Sequence, residues 1–379
     1  MTQTNEHIRI LNLGDIHFAH PETPTELIVN NLDREITDDI LRTTDLLTIA
    51  GDVFHQLVAY NDPRIPCIEQ WITTLLLRCE KYNVAVRVVE GTPYHDRNQP
   101  RYFERQKELC NINVDLRYFD KLDIEFIPSL NIHVLYVPDK WHEDTTETLR
   151  EVKALLKERG LDKVDFALMH GAFSYQLPFI ADEPTHDEEE YLALVRYLIF
   201  IGHVHISMVN GRIIPSGSFD RLAHGEEGPK GFHTADVNLI TGNFELKFHE
   251  NRNAKVYKTK TISGDDLEVF WRDVNELALT HPHGSAFALR VMKTDMIAKT
   301  IKEVQREHPE FTWKFTIEKS KKDKSKEMRS ALGEEMEYLP PLTEDYLRTK
   351  VREHMEKQGV TSDKIERALA LLDTVVDDG

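Results

Sequence analysis

Residues 197–205 read Tyr-Leu-Ile-Phe-Ile-Gly-His-Val-His, an apolar run closed by a glycine and then by His203 and His205. An unbroken run of this kind suits a strand covered on both faces. Two histidines at i and i+2 directly after it are costly to place there unless they are hydrogen-bonded or bind a metal. The same arrangement recurs upstream. IRILNL (8–13) leads to Asp15 and His17, and LLTIA (46–50) to Gly51-Asp52-Val-Phe-His55. VAVRVV (84–89) leads to His95-Asp96, and VDFALM (164–169) to His170-Gly171. IHVLYV (132–137) is a further strand of this type, followed by Pro138. Between the runs, TELIVNNLDREITDDILR and PCIEQWITTLLLRCEKY have helical spacing. Strands alternating with helices predict a layered α/β fold. In such folds ligands gather beyond the carboxyl ends of the strands, where all five motifs lie.

Asp and His are oxygen and imidazole donors. Residues at i and i+2 of an extended chain share a face, which puts Asp15 and His17 on one side. A mixed Asp/His set without thiolate fits manganese, iron, zinc or magnesium, and mixed nitrogen and oxygen ligation favours manganese or zinc over a pure magnesium site. Two ions bridged by Asp52 would lie about 3.5–4 Å apart, an arrangement suited to hydrolysing a phosphate ester. The three cysteines, Cys67, Cys79 and Cys110, have no metal-type spacing and cannot all pair, which predicts a reduced, cytoplasmic setting.

The net charge of −18 argues against a protein that coats nucleic acid. It leaves room for an enzyme whose metals and a few local cations grip one phosphate. No apolar run is long enough to span a bilayer, and the polar N-terminus carries no visible signal peptide. At 379 residues the chain is expected to hold more than one domain. Residues 1–250 contain the motifs. From residue 251, DDLEVFWRDVNELAL and MIAKTIKEVQREH read as helices, and SAFALRVMK and FTWKFTIEK as strands, giving a small α/β unit at 251–330. Lys319–Lys326 reads as a solvated loop or a nucleic-acid contact. After Pro340-Pro341, residues 342–379 read as two helices with an apolar stripe (Tyr346, Leu347, Val351, Met355, then Ile365, Leu371 and Leu372), suited to docking on a partner.

At these motifs the chain resembles the calcineurin-like metallophosphoesterases, and more narrowly the SbcD-type exonuclease subunits of double-strand-break repair. The narrower likeness rests on Gly51-Asp52-Val-Phe-His55, with His55 three residues after Asp52, and on Pro215-Ser-Gly-Ser218 followed by Gly225-Glu226. It implies a layered phosphoesterase sandwich with a capping domain at 251–330 and an ATPase-docking helical pair at 342–379. It implies two divalent ions, manganese first and magnesium or zinc as alternatives. Asp15, His17, Asp52 and His205 would bind one, and Asp52, His170 and His203 the other. His95 would be the catalytic histidine, Asp96 its orienting partner, and His55 a group that places the substrate strand. The partners implied are DNA, an SbcC-type ATPase and a second copy of the chain, the last through a stripe on 64–82 (Ile65, Ile68, Trp71, Ile72, Leu75, Leu76, Cys79) that can equally pack on the sheet. The activity implied is a metal-dependent DNA exo- or endonuclease. A stand-alone phosphoesterase for nucleotides or phosphoproteins, or a catalytically weakened scaffold, are the alternatives. The third motif departs from the pattern. The family has Gly-Asn-His-Asp or -Glu with a ligating Asn, whereas this chain has Gly91-Thr-Pro-Tyr-His95-Asp96, with two residues inserted and Tyr94 in the Asn position. Thr92, a backbone carbonyl or water is left to complete the second site, which is expected to be the weaker.

Overall fold

The computed structural model describes residues 6–177, 183–262, 266–292, 295–318 and Arg352. The first part of the chain lays down four parallel strands, β1 (His7–Leu13), β2 (Leu46–Ala50), β3 (Ala85–Val89) and β4 (Leu116–Phe119). They are joined by helices α1 (Thr25–Glu35), α2 (Asp38–Arg42), α3 (Ile65–Tyr82) and α4 (Tyr102–Leu109). The next part builds a second sheet from β5 (Asp123–Ile127), β6 (Ile132–Val137), β7 (Phe166–Gly171), β8 (Ile199–His203) and β9 (Ile213–Pro215), with α5 (Thr145–Glu158) and α6 (Glu188–Leu194). The chain then returns to the first sheet. β10 (Gly231–Asn238) pairs antiparallel with β1, and β11 (Phe244–Glu250) with β10, giving the order β11-β10-β1-β2-β3-β4.

Successive strand residues point to opposite faces, and this builds the layers. Ile8 and Ile10 of β1, Leu46 of β2 and Ala85 of β3 meet Phe166, Leu168 and Phe200 of the second sheet in a core between the sheets. Their neighbours Leu11, Leu13, Leu47, Ile49, Val86 and Val88 face the other way, onto Ile28, Leu32, Trp71, Ile72 and Phe103 of the helices. Ala167, Met169, Ile199 and Ile201 do the same on the second sheet, against Leu149, Val152 and Tyr191. The result is two mixed sheets sandwiched between helices, the α/β architecture expected. The seven apolar residues of the α3 stripe are all buried in the chain's own core, so the stripe packs on the sheet.

A third sheet follows. Strands β12 (Tyr257–Ile262), β13 (Ala286–Met292) and β14 (Thr312–Glu318) lie in that order, with α7 (Leu267–Thr280) and α8 (Asp295–Glu307) between them in sequence. It has its own core of Phe270, Val274, Leu277, Phe287, Leu289 and Trp313. By their contacts residues 1–316 form one compact unit, and the Tyr257 hydroxyl lies 3.0 Å from Thr23 Oγ1 near β1. The lysine-rich stretch 319–326 lies outside the described residues, as does the expected helical pair at 342–379 apart from Arg352. No helix among the described residues is long and apolar enough to cross a membrane.

Candidate metal centre

The five motifs converge at the carboxyl ends of β1, β2, β3, β7 and β8. The loops after β1 and β2 stay paired beyond the strands: Asp15 N–H donates to the Gly51 carbonyl at 3.0 Å, and His17 N–H to that of Asp52 at 3.0 Å. The extended geometry expected for Asp15 and His17 does not hold. Their φ angles are 47° and 53°, and Asp52 and His203 stand at 48° and 101°. Left-handed backbone costs a residue with a Cβ on the order of 1 kcal/mol or more, and it persists only where the surroundings over-determine it. Four candidate ligands carry it here. The kinks turn each chain sharply at the end of its strand, and both side chains still reach one centre.

The glycines of the motifs are there because backbones nearly touch. A Cβ on Gly91 would lie 2.1 Å from Asp52 N, and one on Gly202 2.0 Å from the Ala50 carbonyl oxygen.

Two groups of donors result. Asp15, His17 and His205 form one, and Asp52, His170 and His203 the other, with the ligand atoms of each within 4.8 Å of one another. His17 Nε2 and His205 Nε2 are 2.9 Å apart. Asp52 stands between the groups, its Oδ2 3.6 Å from His17 Nε2 and 3.4 Å from His170 Nε2. Three of the imidazoles are fixed from behind. His170 Nδ1–H donates to the Ala50 carbonyl at 2.6 Å, His203 Nε2–H to Glu183 Oε1 at 2.6 Å, and His205 Nδ1–H to Glu226 Oε1 at 2.7 Å. Each bond fixes a proton on the outer nitrogen, so the inner nitrogen is the one turned to the centre, where its lone pair would be free for a cation that displaces any proton there. An acceptor behind the ring is the usual support of a metal-binding histidine. Buried carboxylates and inward lone pairs fit divalent cations with mixed nitrogen and oxygen preference. The clusters are consistent with a binuclear metal site.

Electrostatics point the same way. Burial raises the Asp15 carboxyl above its ordinary range, and burial drives the His17 imidazole well below its own. For Asp52 burial pulls upward, yet the His170 imidazole prevails and holds the carboxyl far down. His170 is the mirror image: burial pulls down, and Asp52 carries it well above the ordinary value. Asp52 and His170 thus share one tightly held proton, which a cation would displace.

Of the three groups left open for the third motif, Thr92 is the one at the centre. Its hydroxyl lies 3.2 Å from Asp52 Oδ2, 3.3 Å from His170 Nε2 and 3.3 Å from His203 Nδ1. Tyr94 points to solvent. His95 joins a third trio with His17 and His55. Its Nδ1–H donates to the His55 carbonyl, so Asp96 is not its partner. The Asp96 oxygens instead accept from Phe54 N–H at 2.9 Å and Gly91 N–H at 2.8 Å, which ties the β2 and β3 loops together. Asp96 is fully buried because backbone amides need acceptors there. His55 Nδ1 lies 3.3 Å from His17 Nδ1, and its ring packs 4.4 Å from that of His20.

Two participants, Asp139 and Glu183, were not singled out in the sequence, and a third, Glu226, was quoted there only as part of a motif. Asp139, just after β6, has one buried oxygen without a partner and feels His170 and His203. Its position at a strand's carboxyl end was the available signal. Glu183 has no such signal, since it comes from a loop distant in sequence. Glu226 lies in the Gly225-Glu226 pair. It is held down to about 2, with burial opposing and His205 and Lys230 prevailing.

No family model and no curated protein matches the chain. Of the 28 chains of solved structures that match, one crystal structure aligns with a TM-score of 0.36 and 12% identity, covering 64% of this chain and 99% of its own. A likeness at that level says nothing about activity.

Proposed function

We propose that this protein is a metal-dependent phosphodiesterase and, in the finer reading, a DNA nuclease that works with an SbcC-type ATPase. One observation carries the phosphoesterase reading: two donor groups lie side by side with Asp52 Oδ2 between His17 and His170, and the outer nitrogens of His170, His203 and His205 are each held by an acceptor. The finer reading is supported by the order and spacing of the motifs, His55 among them. Two ions held by Asp15, His17, His205, Asp52, His170 and His203 would neutralise charge on a phosphoryl group. Thr92 Oγ1 would complete the second set. His95, with Nδ1–H fixed on a carbonyl, keeps Nε2 free to exchange a proton with the reacting phosphate's oxygens.

The test uses the full-length protein with manganese. Cleavage of linear double-stranded DNA is measured with and without the ATPase, alongside hydrolysis of a small phosphodiester. His95→Ala should lower kcat by about 10²–10³, the scale of one lost transition-state donor, while calorimetry still shows manganese bound. Near-normal turnover in that variant would remove His95 from the mechanism. Hydrolysis of the small diester with no cleavage of DNA would keep the phosphoesterase and reject the nuclease.

A further inference from the structure

The loops that follow the neighbouring parallel strands β2 and β3 each present an exposed tyrosine beside an arginine. On the β3 loop Tyr94 is 67% exposed, and its ring stands 5.6 Å from that of His95 at 74°. The Arg97 guanidinium lies 5.2 Å from the Tyr94 ring centre, and Arg97 Nε–H donates to the Tyr94 carbonyl at 3.2 Å. On the β2 loop Tyr60 is 70% exposed. Arg105 of α4 lies 4.9 Å from its ring centre and donates to its hydroxyl at 2.9 Å. Among the described residues neither arginine makes an ion pair with a carboxylate.

We propose that Tyr94 and Arg97 bind an unpaired nucleotide beside the scissile phosphate, the base stacked on the Tyr94 ring and a backbone phosphate on Arg97. Tyr60 with Arg105 forms a second platform on the same rim. The proposal rests on the phosphodiesterase reading and names its substrate class as a nucleic-acid strand with an unpaired end. Each base has a π-face, so stacking on tyrosine is strong and tolerant of sequence. In a duplex that face is covered by the neighbouring base, so the platform selects unpaired nucleotides. A chain of net charge −18 repels a polyanion in bulk, and grip must come from local cations that no carboxylate neutralises. Arg97 meets that condition, and Arg105 meets it less fully because the Glu69 carboxylate lies within its field. Tyr94 directly precedes His95 in the chain, which sets the platform beside the His17, His55 and His95 trio.

The test is binding of a tetranucleotide carrying 2-aminopurine to the full-length protein in EDTA, read by fluorescence. The wild-type protein should quench the probe, and Tyr94→Phe should retain the quenching. Tyr94→Ala should abolish it and weaken binding roughly tenfold. Arg97→Ala should lower the slope of log affinity against log salt by about 0.7, the share of one phosphate contact on a single strand. Tyr94→Leu, which keeps bulk without a π-face, should behave as Tyr94→Ala and guards against a folding artefact. Undiminished quenching in Tyr94→Ala and Tyr94→Leu overturns the proposal, as does equal affinity for the fully paired duplex. Hydrolysis of methyl p-nitrophenyl phosphate by the wild-type protein with manganese is scored separately. Its absence would sink the phosphodiesterase reading even if quenching is seen, whereas hydrolysis without quenching would sink the stacking platform alone.

Discussion

Two of the buried polar clusters among the described residues balance their charge in opposite ways. In the first, Arg87 of β3 faces the layer between the sheets and is 1% exposed. Its Nε and Nη2 donate to Glu125 of β5 at 2.6 and 3.0 Å, and its remaining donors reach Asp115 and the Val86 and Asp115 carbonyls. Tyr136 of β6 donates to the same glutamate at 2.9 Å and stacks on Phe119 of β4 with ring centres 3.5 Å apart. Every strong donor has an acceptor, and cation and anion cancel. In the metal centre two carboxylates meet four imidazoles, and no lysine or arginine side chain pairs with either carboxylate among the described residues. The first cluster is complete as it stands and fastens one sheet to the other. The second is balanced only by a shared proton or by added cations, which marks it as the place for chemistry.

The comparison breaks most easily through stability. Glu125→Ala leaves a buried guanidinium with only Asp115 as counter-charge. It should destabilise the protein by about 3 kcal/mol, the cost typical of removing one partner from a buried pair. Asp52→Asn removes a charge whose balance is incomplete without metal. Its metal-free form should lose clearly less stability than Glu125→Ala, because His170 can release its proton and stay neutral as Arg87 cannot, while manganese binding collapses. Chemical denaturation of both variants in EDTA checks the contrast. Equal losses would mean that the metal centre is also a closed structural pair.

A smaller effect sharpens the role of the outer acceptors. Glu226→Gln and Glu183→Gln keep shape but weaken the hold on His205 and His203. Each should reduce manganese affinity by about 10- to 100-fold, the usual cost of losing such support. The two losses should fall on different ions in titration calorimetry, because His205 and His203 belong to different groups. A loss on the same ion in both variants would overturn the division into two sites.

How much of this was legible beforehand depended on whether the signal was local. The apolar runs of β1, β2, β3, β6, β7 and β8 are continuous, so they were readable one at a time. β10 and β11 were not singled out. GFHTADVN and FELKFHE alternate polar and apolar residues, and their pairing joins positions as distant as His7 and Asn238. The division into two sheets was hidden for the same reason, since strands of one composition fall on both. At the site, Asp and His after buried strands were visible. The acceptors Glu183 and the Ala50 carbonyl were not, because they are defined only by contact, and Glu226 was visible in the Gly225-Glu226 pair but not as the support of His205. Nor were the left-handed turns at Asp15, His17, Asp52 and His203, since no glycine marks those positions.

The smallest effect is on pH, and its sign differs between the clusters. Arg87 is raised above an already high value, with burial opposing and Glu125 prevailing, so it stays charged and adds no slope near neutrality. His170 has a folded value well above its unfolded 6.5. A raised value contributes stability that is fully present below pH 6.5 and is lost as pH climbs through the folded value. Asp52 is depressed, so its contribution is lost only in acid, well outside this window. In EDTA the native state therefore binds more protons than the unfolded one above pH 6.5, and stability falls with pH. One proton limits the slope to about 1.4 kcal/mol per pH unit. Saturating manganese replaces that proton, and the gain in binding as pH rises offsets the metal-free loss, so the slope should flatten to near zero. Calorimetric Tm between pH 7 and 9 checks this with and without metal. A fall of Tm with pH in EDTA that persists unchanged in manganese would show that the His170 proton and the metal do not compete, and that the Asp52–His170 pair is a structural element like Arg87–Glu125.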